Sequence, residues 1–142
     1  MSLATHRVVA FIATRDATRA RAFYEGTLEL RVVSDTPFAL VVDSGGTTIR
    51  IQKVAAFTPH PFTALGWTVP DIGRAMAHLG ARGVAFERFD FVPQDIHAVW
   101  TTPDGTKVAW FKDPDGNTLS LTELSARAAA DEKGTQPSAS PE

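Results

Sequence analysis

The chain has 142 residues, enough for one sizeable core, and a formal net charge of −2 with both signs interspersed. No basic stripe interleaved with aromatics occurs, so nucleic acid is not an expected partner. Cysteine is absent, which excludes disulfides, cysteine nucleophiles and thiolate metal sites.

No apolar run approaches membrane-spanning length. The opening MSLATHR lacks the basic-then-apolar order of a signal peptide, so a cytoplasmic protein without membrane contact is expected.

Residues 7–14 (RVVAFIAT) are apolar on both faces and predict a buried strand. Asp16 or Thr18 then caps a helix, and Ala20, Phe23, Tyr24 and Leu28 lay one apolar stripe along it. Strands follow at 30–35, 37–43 and 47–53, separated by Pro37 and by Ser44-Gly45-Gly46. This is a βαβββ unit. Residues 55–62 (AAFTPHPF) read as a linker broken by two prolines, with His60 as a loop histidine.

The unit then starts again. Residues 63–69 form a strand, Asp71 caps a helix with its stripe at Ile72, Ala75, Met76 and Leu79, and Gly80 and Gly83 end it. Residues 84–88 read as the second strand of this copy. Trp110–Glu123 (WFKDPDGNTLSLTE) is a hairpin whose Asp113-Pro114-Asp115-Gly116-Asn117 turn echoes Asp43-Ser44-Gly45-Gly46-Thr47. The helix caps repeat at a spacing of 55 (Asp16 to Asp71) and the turns at 70 (Asp43 to Asp113), so the second copy holds 15 extra residues. These include Phe89–His97 and the Pro103-Asp104-Gly105 turn, and read as a rim or lid, or as an added hairpin. Residues 126–142 are small and polar and read as a disordered tail, with a helical turn allowed at Ala128–Ala130.

Two βαβββ copies with a D-P-D-G-N turn before the last strand resemble the vicinal oxygen chelate superfamily, which includes glyoxalase I, the extradiol dioxygenases and the bleomycin resistance proteins. Ala22-Phe23-Tyr24 followed by Leu28-Glu29-Leu30 is similar to the family's A-F-Y…L-G-L, with Glu29 in place of its usual glycine. The resemblance covers about residues 6–124. It implies an α+β fold: two tandem βαβββ modules, 6–54 and 62–124, forming a cup-shaped, partly open mixed β-sheet barrel with helices outside, as one domain over 1–125.

Enzymes of that superfamily hold a divalent metal in the cup on His, Gln or Glu side chains. The matching positions here are Val9, Arg50, Ala64 and Ser120. Two have no donor atom, one is a weak ligand and one is a permanent cation. No metal and no cofactor are therefore expected. Strand alternation places Phe11, Arg50, Gln52 and Ser120 on the cup face and Trp67 in the core. Trp100 and Trp110 flank a hairpin and either pack together or line the mouth. His97 is the one rim histidine and the weak candidate for acid–base chemistry.

The expected ligand-binding set is thus Phe11, Arg50, Gln52, His97, Trp100, Trp110 and Ser120. The expected function is metal-independent binding, by a homodimer, of a small organic molecule bearing an anionic or carbonyl group. A glyoxalase-like lyase or isomerase, an extradiol dioxygenase-like enzyme, and a non-catalytic dimeric scaffold or regulatory domain are the alternatives.

Overall fold

In a computed structural model, which describes residues 1–135, the chain forms two four-stranded mixed sheets and three α-helices. The first sheet takes β1 (Val9–Thr14), β2 (Arg31–Asp35), β3 (Ala39–Ser44) and β4 (Thr47–Lys53) in the order β1-β4-β3-β2. The second takes β5 (Thr63–Thr68), β6 (Trp100–Thr101), β7 (Lys107–Lys112) and β8 (Thr118–Glu123) in the matching order β5-β8-β7-β6. In each sheet the first strand of the module runs parallel to the last, and the remaining pairs are antiparallel. The sheets share no ladder and do not close into a barrel.

Local chemistry sets both long connections. Helix α1 (Ala17–Arg21) is capped by the Asp16 carboxylate, which accepts from the Arg19 amide, and continues through a π-helical turn, Ala22–Thr27. Helix α2 (Ile72–Ala81) is capped in the same way by Asp71, which accepts from the Arg74 amide. The Glu123 carboxylate takes a further free N-terminal donor, the Ile72 amide, at 2.8 Å. The apolar stripes of the two helices pack into one core with Ile12, Leu40, Ile49, Ile51, Phe111, Leu119 and Leu121.

The predicted strand over 84–88 does not form. The structure keeps only an isolated bridge, Phe86 to Phe111, and one bond from the Glu87 amide to the Trp110 carbonyl. The physical reason lies in Gln94. Its side-chain amide donates to the Glu87 and Ala98 carbonyls and accepts from the Phe89 amide, so it takes the backbone groups a strand would have used. Thus β6, only two residues long, shares the edge of the second sheet with Phe86.

The expectation of a disordered tail is also corrected over part of its length. Ala126–Thr135 is a helix, α3, started by the Ser125 hydroxyl accepting from the Ala128 amide. Alanine's high helix propensity outweighed the polar composition there. The rest of that tail, 136–142, lies outside the described residues.

The Asp113–Asn117 turn joins the two modules. The Tyr24 hydroxyl donates to Asp113 Oδ2 at 2.6 Å, and the Thr14 hydroxyl donates to Asp115 Oδ2 at 2.5 Å. The Arg15 amide donates to Asp115 Oδ1, and the Asn117 side-chain amide donates to the Ala13 carbonyl. Asp113, Asp115 and Asn117 are all buried. On the far side of the molecule the Trp67 indole N–H donates to Ser44 Oγ at 2.8 Å.

Burial, then the Asp113 charge and the hydrogen bond to it, push the Tyr24 phenol well above its ordinary value. The neutral phenol is therefore favoured by folding, and its stabilisation is complete below about pH 10 and lost as pH rises toward the folded-state value. Tyr24 is the chain's only tyrosine, so absorbance at tyrosinate wavelengths reports it alone. Urea unfolding of Tyr24→Phe is expected to show a loss of about 1.5–3 kcal/mol at neutral pH and a shallower decline above pH 10. Equal stability of the two proteins at neutral pH would show that this bond does not hold the modules together.

Candidate functional site

Register sorts the side chains into rows. In the first sheet Phe11, Arg50 and Val41 are cross-strand neighbours, and Ala13, Gln52 and Ala39 form the next row. In the second sheet one row is Gly66, Ser120 and Trp110, and the next runs Thr68, Thr122, Val108 and Trp100. Because successive strand residues alternate sides, these rows point away from the buried Ile49, Ile51, Phe111 and Leu119. Each sheet thus has a helix-covered face and an open one.

On the open face of the first sheet the β3 residues Ala39 and Val41 are buried, but β1 and β4 are exposed, against the expectation that the strand over 7–14 is buried on both sides. Phe11 keeps 57% of its surface, and Arg50 and Gln52 are exposed. Arg50 makes no ion pair or side-chain hydrogen bond with another described residue. Where the open faces approach one another lies a cavity of about 190 Å³, lined by Phe11, Gln52, Phe57, His60, Ala64 and Asn117. Phe57 and His60 come from the linker, where sequence gave no reason to place them. Arg15 lies 5.5 Å over the Phe57 ring, and His60 stacks on Phe62 at 5.0 Å.

The open face of the second sheet carries an aromatic wall. Trp100 and Trp110 stack with centroids 6.0 Å apart, and Phe89 meets Trp110 edge-on at 5.3 Å and Phe91 at 5.1 Å. The Trp110 indole N–H donates to Thr63 Oγ1. Ser120 lies beside this wall and is 8% exposed. Gly66 makes room for it, since a Cβ there would overlap Ser120 Oγ. Phe89 and Phe91 belong to the extra residues of the second module, and their alternation with Asp90 was the only hint that both face one way.

His97 sits elsewhere. It lines a groove of about 560 Å³ beside α2, with Asp71, Met76, Lys107 and Glu123, on the helix-covered side of the second sheet. The sequence-predicted residues therefore fall into three places: Phe11, Arg50 and Gln52 on one open face, Trp100, Trp110 and Ser120 on the other, and His97 behind the second sheet. The extra segment that carries His97 is firmly folded. The Asp95 carboxylate accepts from the Val99 and His97 amides, and these bonds hold it below the usual carboxylate range. Ala98 adopts φ 68°, a left-handed conformation that a non-glycine residue enters at a cost.

The resemblance places metal ligands at Val9, Arg50, Ala64 and Ser120, and the structure tests their fit. Val9 and Arg50 project from the first open face, Ser120 from the second, and Ala64 lines the cavity between them. Two hydrocarbons, a hydroxyl and a fixed cation do not fit a divalent metal. Among the described residues no three of His, Cys, Asp and Glu form a group that could hold one.

A family model described as the Glyoxalase/Bleomycin resistance protein/Dioxygenase superfamily matches residues 5–121. The chain belongs to that superfamily. A superfamily member from Sphaerobacter thermophilus DSM 20745 is similar at 25% identity and TM-score 0.68, over 87% of this chain and 100% of that one. An antibiotic binding protein from Streptomyces sp. CB03234 follows at 24% and 0.67, over 88% and 100%. A lactoylglutathione lyase from Agrobacterium tumefaciens is similar at 16% and 0.62, over 84% and 93%. No curated protein matches by sequence. The fold is thus shared by a binding protein and a lyase, and does not by itself decide between such roles. No helix among the described residues is long and apolar enough to cross a membrane.

Gln94→Ala removes three hydrogen bonds that shape the Phe89–Val99 segment. Limited proteolysis is expected to cut this variant within that segment at least about tenfold faster than the parent, because local opening loses a barrier of over 1.4 kcal/mol. Unchanged cleavage would mean that the segment is held by other contacts.

Proposed function

We propose that this superfamily member is a cytoplasmic, metal-independent binding protein that works as a homodimer. It takes a small organic molecule whose anionic or carbonyl group meets Arg50 and whose planar body lies against aromatic side chains. One observation carries the reading: Arg50 stands exposed in the middle of a sheet face, beside Phe11 and Val41, with no acidic partner among the described residues. A cation kept on an apolar strand row without a structural partner is suited to an incoming acceptor. The hydroxyls of Ser120 and Thr122 and the Gln52 amide add orienting groups on the same faces.

Size supports the homodimer. The cavity between the open faces is about 190 Å³, below the roughly 300 Å³ at which small-molecule sites begin. The apolar Val9 and Phe11, 41% and 57% exposed, mark a face that a second copy would cover. The antibiotic binding relative supports a binding role by likeness of fold.

The first test uses 1-naphthoate, with the 1-naphthylmethylammonium cation as control, followed by calorimetry or thermal shift. Arg50→Ala is expected to weaken naphthoate binding by about 10–100-fold, the equivalent of a charge-assisted hydrogen bond, and to leave the melting temperature nearly unchanged. Unchanged affinity, or stoichiometric nickel, zinc, manganese or iron retained through dialysis, would overturn the reading.

The homodimer is tested by sedimentation velocity. The parent is expected to sediment as a dimer and Phe11→Asp as a folded monomer. A monomeric parent would remove the second copy from the proposal.

A further inference from the structure

Behind the second sheet, between the modules, lies a cleft of about 310 Å³ that none of the proposed ligand contacts uses. Module one contributes Leu28 and Leu30, and module two contributes Trp67, Val69, Leu79 and Phe111. The volume falls within the range of small-molecule sites, and it is about twice that of an engineered cavity known to hold benzene.

Apart from Thr68, the polar side chains around it are engaged with one another. Ser44 accepts from the Trp67 indole. At the rim His78 Nε2 lies 2.8 Å from Glu29 Oε2, and the Arg82 guanidinium donates to Glu29 Oε1 at 2.9 Å and to the Gly26 carbonyl at 3.3 Å. Glu29 reaches these partners from φ 62°, a backbone conformation costing a non-glycine residue about 1–2 kcal/mol. Leu28 and Leu30, its sequence neighbours, are thereby held as the module-one wall. A strained residue pinned by two partners from the other module fixes the mouth of an apolar space.

We propose that this cleft is a second binding site, taking a neutral, flat, largely apolar molecule of one or two rings. The argument is independent of the function proposed above. A charged or strongly polar ligand is disfavoured because the walls are almost wholly hydrocarbon and aromatic, with Thr68 adding only a hydroxyl, so most of its desolvation would go uncompensated. A polypeptide is too large for the volume. Occupation would bridge the modules, since its walls come from both.

The three tryptophans supply the test. Indole is titrated, unlabelled, into the full-length nitrogen-15-labelled protein, and the three indole N–H signals are followed. Trp67 is expected to shift saturably while Trp100 and Trp110, on the opposite side of the sheet, hold still. Filling the cleft with Ala75→Leu or Val69→Phe is expected to weaken the response by about tenfold or more, because a packed space cannot take the added rings. Should either variant fail to fold, contacts between indole protons and the Leu28 and Leu79 methyl groups in the parent decide the matter. No shift at Trp67, a shift confined to Trp100 and Trp110, a response unchanged in the filled variants, or an absence of those contacts would each overturn the proposal. Naphthoate binding reports the Arg50 face separately, so either site can fail alone.

Discussion

Two buried carboxylates decide how the halves of this molecule sit. Asp113 and Asp115 are turn residues whose oxygens leave their own hairpin and meet Tyr24, Thr14 and the Arg15 amide in the other module. Removing such charges from water is costly unless every lone pair finds a donor, and here the donors are numerous: the Asp115 and Asn117 amides also converge on Asp113. No buried side-chain nitrogen or oxygen among the described residues lacks a partner. A geometry that satisfies all of these groups at once leaves little freedom. It sets β1 beside the β7–β8 turn and brings Phe11, Gln52 and Ala64 to the same small cavity.

That placement also separates chemistries. The helix-covered faces of both sheets merge into a single apolar core, so most of the polar and aromatic residues of functional interest lie on the opposite faces and at the seams, His97 in its groove beside α2 being the exception. Arg50 and the tryptophan pair lie on open faces. Glu29, His78 and Arg82 lie at a seam on the helix side. Distances between Arg50 and its face neighbours, and between the two tryptophans, follow from sheet register.

How much of this could be read from residues alone depended on range. The caps Asp16 and Asp71 act on amides three residues away; Asp71 was legible outright and Asp16 as one of two choices with Thr18. Face assignment was legible too, because a period of two leaves Phe11, Arg50 and Gln52 no choice but to share a side. The π-helical turn at Ala22–Thr27 was invisible, since a stripe at 20, 23, 24 and 28 does not distinguish it from an α-helix. The missing strand at 84–88 turned on where one glutamine side chain points. The position of His97 turned on Asp95 and on a left-handed Ala98, neither of which alternation or propensity encodes. Helix α3 lost to composition: three alanines counted for less than the polar residues around them. Empty space was the least legible of all, because the cleft lined by Trp67 is defined by what two distant segments fail to fill.

The four side chains at the positions that the resemblance matches to metal ligands carry an evolutionary consequence. To gain coordination of the family's kind, Val9 and Ala64 would each have to become a donor, the weak Ser120 hydroxyl a stronger one, and the Arg50 cation would have to go. No single replacement along that route creates a site that grips an ion, so selection has no first step to favour. On the proposed reading, a guanidinium in the middle of the face already offers a contact to an acidic guest. Descent from such a state runs more readily toward new guests than back toward an ion.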